Sequence, residues 1–240
     1  MSSSASRLGT GEFEAPPLAA LSAPVIVFVG LMLEARLAIG PNAIVVCHDR
    51  NRGLSQLIEH AAKARSRSII SFGLAGGLAP NLHAGDWIVA SSIRYQQEEV
   101  PTDAVWSSRL LLALPRASYA PLAGVDSAIV HAPARRALHA RTGAVAVDTE
   151  SHLVARVAAA HCLRFAALRV VVDAAHRRVP QAALNCMVGD GSTSIALLLQ
   201  SLLAHPAQTL DVVRLTADWL AARASLIAVR QLLGPNLGGS

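Results

Sequence analysis

The sequence predicts a single α/β domain, and three observations lead to that class. The chain has 240 residues, 52% of them hydrophobic and 15% charged, which is enough to bury one large core. β-Branched runs alternate with segments of helical periodicity. The segment 145–173 contains both patterns, because two apolar strands flank an amphipathic helix and carboxylates follow each strand. We interpret it as a βαβ crossover that brings both acidic clusters to one edge of a parallel sheet, where ligands bind in such folds.

The N-terminal half is expected to begin with a tail and to continue as alternating strands and helices. Residues 1–22 are rich in Ser, Ala and Pro and lack the positively charged start of a signal peptide, so we expect a disordered tail before a folded domain at 23–235. Prolines interrupt the uncharged stretch Ala15–Leu33, which favours a buried strand there over a membrane span. The predicted strands are 25–30, 43–47, 68–72 and 86–93, and the predicted helices are 31–39 and 54–64.

Beyond residue 94 the sequence predicts an irregular segment followed mainly by helices. Thr102 or Asp103 can cap the first helix with its side-chain oxygen, and Pro133 stands in the first turn of the second, where proline is tolerated. The irregular segment is 94–102, an extended segment is 119–125, and the helices outside 145–173 are 103–114, 133–141, one beginning at Pro180, 195–203 and 209–233.

The charge distribution does not favour nucleic-acid binding. Lys and Arg number 21 against 16 Asp and Glu, but the arginines are scattered along helices, and only four Phe and two Tyr are present to stack on bases. The histidines lack metal-ligand spacing, so we assign no metal. The three cysteines share no such spacing either and lie in or beside apolar segments, which predicts a reduced, cytoplasmic protein: Cys47, Cys162 and Cys186.

The segment Ser71–Leu78 places three glycines at the end of an apolar strand. Glycines there let backbone N–H groups approach a ligand closely. A tight turn needed only for the topology is an equal alternative, because the spacing matches neither a Walker loop nor a dinucleotide fingerprint. The residues alone leave both interpretations open.

Four carboxylates stand beside predicted strand ends. Asp173 follows the apolar run LRVVV, where partial desolvation raises a pKa and makes a proton donor, although a plain turn-forming Asp is an equal alternative. Asp148 and Glu150 begin a helix, where acids commonly cap free N–H groups. Glu150 can also accept hydrogen bonds from both hydroxyls of a sugar cis-diol. Glu34 is either a surface acid paired with Arg36 or a pocket acid.

The segments GLAGGLAPNLHAGDWIVAS, AVDTESHLVARVAAA and FAALRVVVDAAH resemble, in order and spacing, the purine nucleoside phosphorylase and methylthioadenosine nucleosidase superfamily. Within it, the phrases VPTDAVWSSRLLLALP, GVDSAIVHAPARRALHARTGA and RQLLGP are similar to the hopanoid-associated phosphorylases, the branch that cleaves adenosylhopane. The likeness extends from about Pro24 to Pro235. It implies a nucleoside phosphorylase-like catalytic domain at 23–235, with three α/β/α layers and a mixed, twisted central sheet.

The resemblance also implies roles for individual residues. Asp173 matches the catalytic acid that protonates purine N7, so that the base leaves as a neutral group. Glu150 matches the glutamate that holds the ribose hydroxyls and steadies the cationic sugar, and Asp148 and Thr149 are candidate substrate contacts beside it. The other matched positions are the wall around the ribose and nucleophile (Ala75 and Gly76), a main-chain contact with the purine (Ile129) and the acids that orient water in hydrolytic members (Glu34).

Several positions depart from the family pattern. Thr149 replaces a methionine that packs under the ribose, and Leu74 and Val172 replace small hydroxyl residues. The charged run HDRNRG replaces a glycine-rich turn. Such a run is usually a solvated loop, but its Arg50 and Arg52 are candidates for a phosphate site. The nucleophile is therefore left open between water and phosphate as a co-substrate, and no other cofactor is expected.

The leading hypothesis is an enzyme that releases adenine from adenosylhopane and leaves a ribosyl or phosphoribosyl hopanoid. A methylthioadenosine or adenosylhomocysteine nucleosidase and a non-catalytic purine-binding homologue are the alternatives. A dinucleotide-binding reductase is disfavoured, because GLMLEA stands where GxGxxG is needed. We expect a small nucleoside with a large apolar substituent as the ligand, and at least a dimer by analogy with relatives. Whether the C-terminal helix contacts a membrane surface is left open.

Overall fold

The computed structural model describes residues 24–48, 53–63, 67–177, 209–234 and 236–238. The strands in these residues are β1 Val25–Val29, β2 Ala43–Cys47, β3 Ser68–Gly77, β4 Trp87–Tyr95, β5 Glu98–Pro101, β6 Ser118–Gly124, β7 Ala146–Asp148 and β8 Arg164–Asp173. The helices are α1 Met32–Ala38, α2 Gly53–Lys63, α3 Ala104–Ala113, α4 Ala132–Thr142, α5 Ser151–Ala160 and α6 Thr209–Leu233. The predicted tail at 1–22 and the predicted helices beginning at Pro180 and at 195–203 lie outside the described residues.

The central sheet is mixed and closes on itself. Its strand order is β2-β1-β3-β7-β6-β4-β5, and β8 pairs with both β3 and β4. Strands β1, β2, β3 and β8 are mutually parallel, whereas β4, β6 and β7 run in the opposite direction. Strands β3, β7, β6, β4 and β8 therefore form a closed ring, from which β1 and β2 extend. The prediction of an α/β fold with a mixed sheet is confirmed.

Helices cover both faces of this sheet. On one face, α2 and α5 contribute Leu57 and Val154 to a buried core. On the other, α3 and α6 contribute Trp106 and Leu226 to a second core. Helix α4 covers a smaller cluster that includes Leu138. One apolar core thus lies between the sheet and the helices on each of its faces, which gives the three-layer arrangement that the family resemblance implied.

Strand β1 explains the apolar stretch near the N-terminus. All five of its residues, Val25–Val29, are buried, as expected for a strand with helices on both faces. The run therefore belongs to the core of the sheet. Among the helices of the described segments, none is both long and apolar enough to cross a membrane.

The predicted parallel βαβ unit is wrong. Strand β7 is antiparallel to β3 and β8 is parallel to it, so β7 and β8 run in opposite directions. The physical reason is that β7 has only three residues and enters the sheet beside β6, to which it is parallel. Both acidic clusters still reach the same part of β3, because Gly76 lies opposite Val147 in β7 and opposite Asp173 in β8.

Two strand boundaries also differ from the sequence prediction. Strand β3 continues past Phe72 to Gly77, so the three glycines lie inside a strand and not in a loop. Part of the segment predicted to be irregular forms β5, which pairs antiparallel with β4. Its sequence, EEVP, contains no buried residue, and a polar edge strand of this kind lacks the alternation by which strands are predicted.

We predict that Leu110→Ala will lower the free energy of unfolding by about 2–5 kcal/mol, because Leu110 is fully buried and the substitution leaves a cavity. Leu112→Ala on the same helix is the matched control, since Leu112 is 83% exposed and its loss should change stability by less than about 0.5 kcal/mol. Urea denaturation measures both. Equal effects of the two substitutions would contradict the packing of α3 described above.

Candidate active site

The C-terminal half of β3 has no side chains at three positions, and buried carboxylates occupy the space. A Cβ atom at Gly73 would lie 2.4 Å from Oε1 of Glu34, and one at Gly76 would lie 3.3 Å from Oδ1 of Asp173. Gly73 also has a φ of +152°, which favours glycine. The glycines of this strand therefore allow two acids to approach its backbone from different elements.

Glu34 is a pocket acid and not a surface acid. It lies in the first turn of α1 and is 2% exposed. Its Oε2 accepts hydrogen bonds from the N–H groups of Gly30 and Leu31, each at 2.8 Å, and its Oε1 accepts one from the N–H of Leu74 at 2.7 Å. Arg36, the alternative partner, lies exposed further along the helix. Three backbone donors thus fix the carboxylate against β3.

Arg169 in β8 is a fully buried cation beneath the site. Its Nε donates to Oδ2 of Asp148 at 2.9 Å, and its Nη2 donates to the hydroxyl of Ser71 at 2.7 Å. The hydroxyl of Ser151 also donates to Asp148, at 2.7 Å, and the N–H of Ser151 donates to it at 2.6 Å. Asp148 therefore holds Arg169 and the start of α5, as the capping interpretation expects. Its contact with substrate remains a prediction.

Glu150 is the most open of the acids around Arg169. Its side chain is 13% exposed, against 2% for Asp148, and its Oε2 lies 3.6 Å from Nη2 of Arg169. The hydroxyl of Thr149 donates to its other oxygen. The carboxyl also packs against Gly30, where a Cβ atom would lie 3.0 Å from it. A carboxylate that is held by the protein and yet partly open can bind a ligand.

Asp173 ends β8 and pairs with Arg135 of α4. Nη2 of Arg135 lies 2.6 Å from Oδ2 of Asp173, and both side chains are 5% exposed. The other oxygen, Oδ1, faces Gly76. Burial raises the pKa of Asp173, while the positive charge of Arg135 opposes that rise. A buried carboxyl with a raised pKa can carry a proton to a ligand.

The acids around Arg169 outnumber its single charge. Burial raises the pKa of Glu34 to about 7, against the lowering effects of Arg169 and of the backbone donors. Burial also raises the pKa of Glu150, and the negative charge of Asp148 adds to that rise. The negative charge of Glu150 adds to the rise in the pKa of Glu34, so Glu34 gains or loses a proton near neutral pH. Such perturbed groups are typical of acid–base sites.

The other predicted residues are placed as follows. Ile129 is half-buried in the loop after β6, and its carbonyl accepts a hydrogen bond from Nε of Arg135 at 2.8 Å. The side chain of Ala75 belongs to the core on the α2 and α5 face, and its role beside the ribose stays a prediction. The candidate phosphate residues, Arg50 and Arg52, lie outside the described residues.

Arg135 and Arg169 were not predicted from the sequence. For Arg169 a signal was present, because a charged residue inside the apolar run LRVVV is almost never buried without a partner. For Arg135 the signal was its spacing in the helix, because it lies three residues after Ala132 and three before Leu138, which are buried on the same face of α4. Arg136 beside it is exposed. The partner of Arg135 could not be predicted, because its pairing with Asp173 follows only from the packing of α4 near the end of β8.

Comparison with known proteins gives the family. The phosphorylase superfamily matches residues 40–204, which is more than half of the chain. The chain therefore belongs to the phosphorylase superfamily, and the expectation of an enzyme of the nucleoside phosphorylase or nucleosidase kind is confirmed. Among curated proteins, none matches this sequence.

Several solved structures share the fold. The 5'-methylthioadenosine/S-adenosyl homocysteine nucleosidase of Campylobacter jejuni has a TM-score of 0.60 and 13% identity, over 88% of this chain and 98% of that one. A mutant of the Helicobacter pylori nucleosidase with 5'-methylthioadenosine in its active site has a TM-score of 0.60 and 11% identity, over 89% and 99%. A futalosine hydrolase mutant of H. pylori has 0.54 and 12%, over 64% and 91%. At these identities the likeness establishes the fold.

We predict that Gly73→Ala will destabilise the protein more than Gly234→Ala does. Both glycines have positive φ, which costs a non-glycine residue about 1–3 kcal/mol, but only Gly73 also has a carboxylate at 2.4 Å from the added Cβ. A Cβ at Gly234 would meet nothing within 4 Å. Thermal and urea unfolding of the two variants separate backbone strain from collision. Equal losses would show that Glu34 does not press on this strand.

We predict that Glu34→Gln will reduce the pH dependence of stability. The pKa of Glu34 is about 7 in the folded protein and 4.5 in its ordinary state, so the folded state holds the extra proton between these values and loses stability as pH rises through them. Between pH 5 and pH 8 this group should cost about 2–3 kcal/mol. Urea denaturation at both pH values should show the variant losing less stability than the wild type by about that amount. If the stability difference between the two pH values is the same in the variant and the wild type, the carboxyl of Glu34 is exposed to water and this prediction is wrong.

Proposed function

We propose that this chain hydrolyses the N-glycosidic bond of an adenine nucleoside, and that its substrate is adenosylhopane. The observation that carries the proposal is that three buried or partly buried acids pack against glycines of β3 and against the glycine that follows β1: Asp173 at Gly76, Glu34 at Gly73 and Glu150 at Gly30. Membership of the phosphorylase superfamily supports it. Each acid has surroundings that suit a different part of the reaction.

Cleavage of an N-glycosidic bond passes through an oxocarbenium-like state and needs a proton for the departing base. Asp173 suits the proton donor, because burial raises its pKa and its Oδ1 is not the oxygen that Arg135 holds. Proton donation by a positioned acid typically contributes about 10²–10⁴-fold to the rate. Glu150 suits the ribose, since its partly open carboxylate can bind two hydroxyls and stabilise positive charge on the sugar.

Water is the nucleophile that suits Glu34. An ionised carboxylate has about four acceptor positions, and backbone N–H groups occupy two on Oε2 and one on Oε1. The remaining position on Oε1 can accept a hydrogen bond from one water and then take its proton. A phosphate dianion would meet the negative charge of Glu150 beside it, and Arg169 is already paired with Asp148.

The adenosylhopane part rests on the branch-specific phrases VPTDAVWSSRLLLALP and GVDSAIVHAPARRALHARTGA. The second phrase begins at Gly124, the last residue of β6, and continues through the Ile129 loop and α4, so it includes Arg135. The alternative substrate class is 5'-methylthioadenosine or adenosylhomocysteine, because those compounds are named for the structural neighbours. The two classes share the adenine nucleoside and differ at the 5' substituent, so the acids described above serve either one.

We predict that the purified protein releases adenine from adenosylhopane at a rate that is independent of added phosphate, with ribosylhopane as the other product. Chromatography with mass detection measures both products. Asp173→Asn should lower kcat by about 10²–10⁴-fold and Glu150→Gln by about 10²–10³-fold. Asp86→Asn should leave kcat unchanged, because Asp86 lies outside the site and its side chain accepts a hydrogen bond from the N–H of His83.

Three outcomes would contradict parts of this proposal. A phosphoribosyl product would exclude water as the nucleophile. A kcat/KM for 5'-methylthioadenosine or adenosylhomocysteine above that for adenosylhopane would assign the alternative substrate class. Absence of adenine release from all three substrates, with Asp173→Asn indistinguishable from the wild type, would overturn the enzymatic function itself.

A further inference from the structure

Arg135 is the one group in the described segments that forms an ion pair with Asp173. Three contacts fix its guanidinium. Nη2 lies 2.6 Å from Oδ2 of Asp173, Nε donates to the carbonyl of Ile129 at 2.8 Å, and Nη1 donates to the carbonyl of Ala174 at 3.3 Å. The side chain thus links α4, the loop after β6 and the end of β8. An arginine held at all three nitrogens is preorganised and has little freedom to move away.

The contact with Asp173 is one-sided. Oδ2 is held by Arg135, whereas Oδ1 faces the backbone of Gly76. A carboxyl held in this way has a fixed orientation and leaves one oxygen for a ligand. The neighbouring Arg136 of the same helix is exposed.

We propose that Arg135 is a positioning residue, which fixes the orientation of Asp173 and stabilises the carboxylate that forms when Asp173 gives its proton to the leaving base. The inference rests on the proposed function. In the step concerned, the proton on Oδ1 moves to purine N7, the bond between the sugar and the base breaks with its electron pair going to the base, and water adds to the sugar carbon while Glu34 accepts the proton of that water. Arg135 itself gains and loses nothing.

The charges around Asp173 determine how its pKa should change when Arg135 is removed. Burial raises the pKa of Asp173 and Arg135 lowers it, with smaller effects from Asp218 of α6, which raises it, and from Arg177 after β8, which lowers it. Asp218 and Arg177 pair with each other at 2.8 Å, so their effects partly cancel. Arg135 is therefore the main opponent of burial. Without it, Asp173 should keep its proton to higher pH and should be a weaker acid.

The kinetic test compares Arg135→Gln, Arg135→Lys and the control Arg136→Gln with the wild type. Arg135→Gln should lower kcat by about 10–100-fold, a part of the general-acid contribution, with a smaller change in KM because the proposed role is exerted through Asp173 in the proton-transfer step. Activity needs a protonated Asp173, so the alkaline limb of the pH–rate profile should move to higher pH in Arg135→Gln. Arg135→Lys should restore part of kcat. Arg136→Gln should match the wild type.

Two further measurements separate this role from a merely structural one. If Arg135 acts through Asp173, adding Arg135→Gln to Asp173→Asn should lower kcat by less than about threefold, whereas independent roles would multiply. In the ligand-free protein, the carboxyl carbon of Asp173, assigned by its absence in Asp173→Asn, should titrate in ¹³C NMR at higher pH in Arg135→Gln. An unchanged midpoint would overturn the proposal even if no substrate is turned over, and an unchanged alkaline limb in an active enzyme would do the same.

Discussion

The pairing of the fully buried Arg169 is the interaction on which the site depends. A guanidinium without exposure to water is tolerated only when it is paired and its N–H groups are bonded, and here Asp148, Ser71 and Ser151 meet that need. The same side chains fix the start of α5 and thereby the position of Glu150. The positive charge also favours further carboxylates nearby, because it opposes the rise that burial causes in the pKa of Glu34 and of Glu150.

A second arginine, Arg135, forms a buried ion pair at the other end of the site. Arg135 holds Asp173, as Arg169 holds Asp148, but the surroundings differ in what they leave open. Asp148 uses its oxygens within the protein, whereas Asp173 keeps Oδ1 toward Gly76 and Glu150 keeps part of its surface exposed. Burial raises the pKa of Asp173, Glu34 and Glu150, and the charges that oppose this rise differ from one acid to the next. Acids in different surroundings suit a reaction that protonates a base and stabilises positive charge on a sugar.

Much of the fold could be predicted from the sequence, because apolar runs and turn residues act locally. The run Val25–Val29 and the Asp103 cap of α3, whose carboxylate accepts from the N–H of Trp106, are examples. The direction of β7 could not be predicted, since a strand of three residues has too short a sequence pattern to indicate which strand it pairs with. The glycine motif was recognised but assigned to a loop. Its glycines are required because acids from distant elements occupy the space that side chains would fill, and the local sequence does not show this. The acids were identified, whereas Arg135 depends on a contact across 38 positions of the chain.

The central claim is that Asp173 and Glu150 act on two ends of one bound nucleoside. A crystal structure with an uncleavable adenine nucleoside tests it most directly. The account predicts an oxygen of Asp173 within about 3 Å of purine N7 and the carboxylate of Glu150 at similar distances from both ribose hydroxyls. A ligand that contacts only one of these acids, or neither, would contradict it.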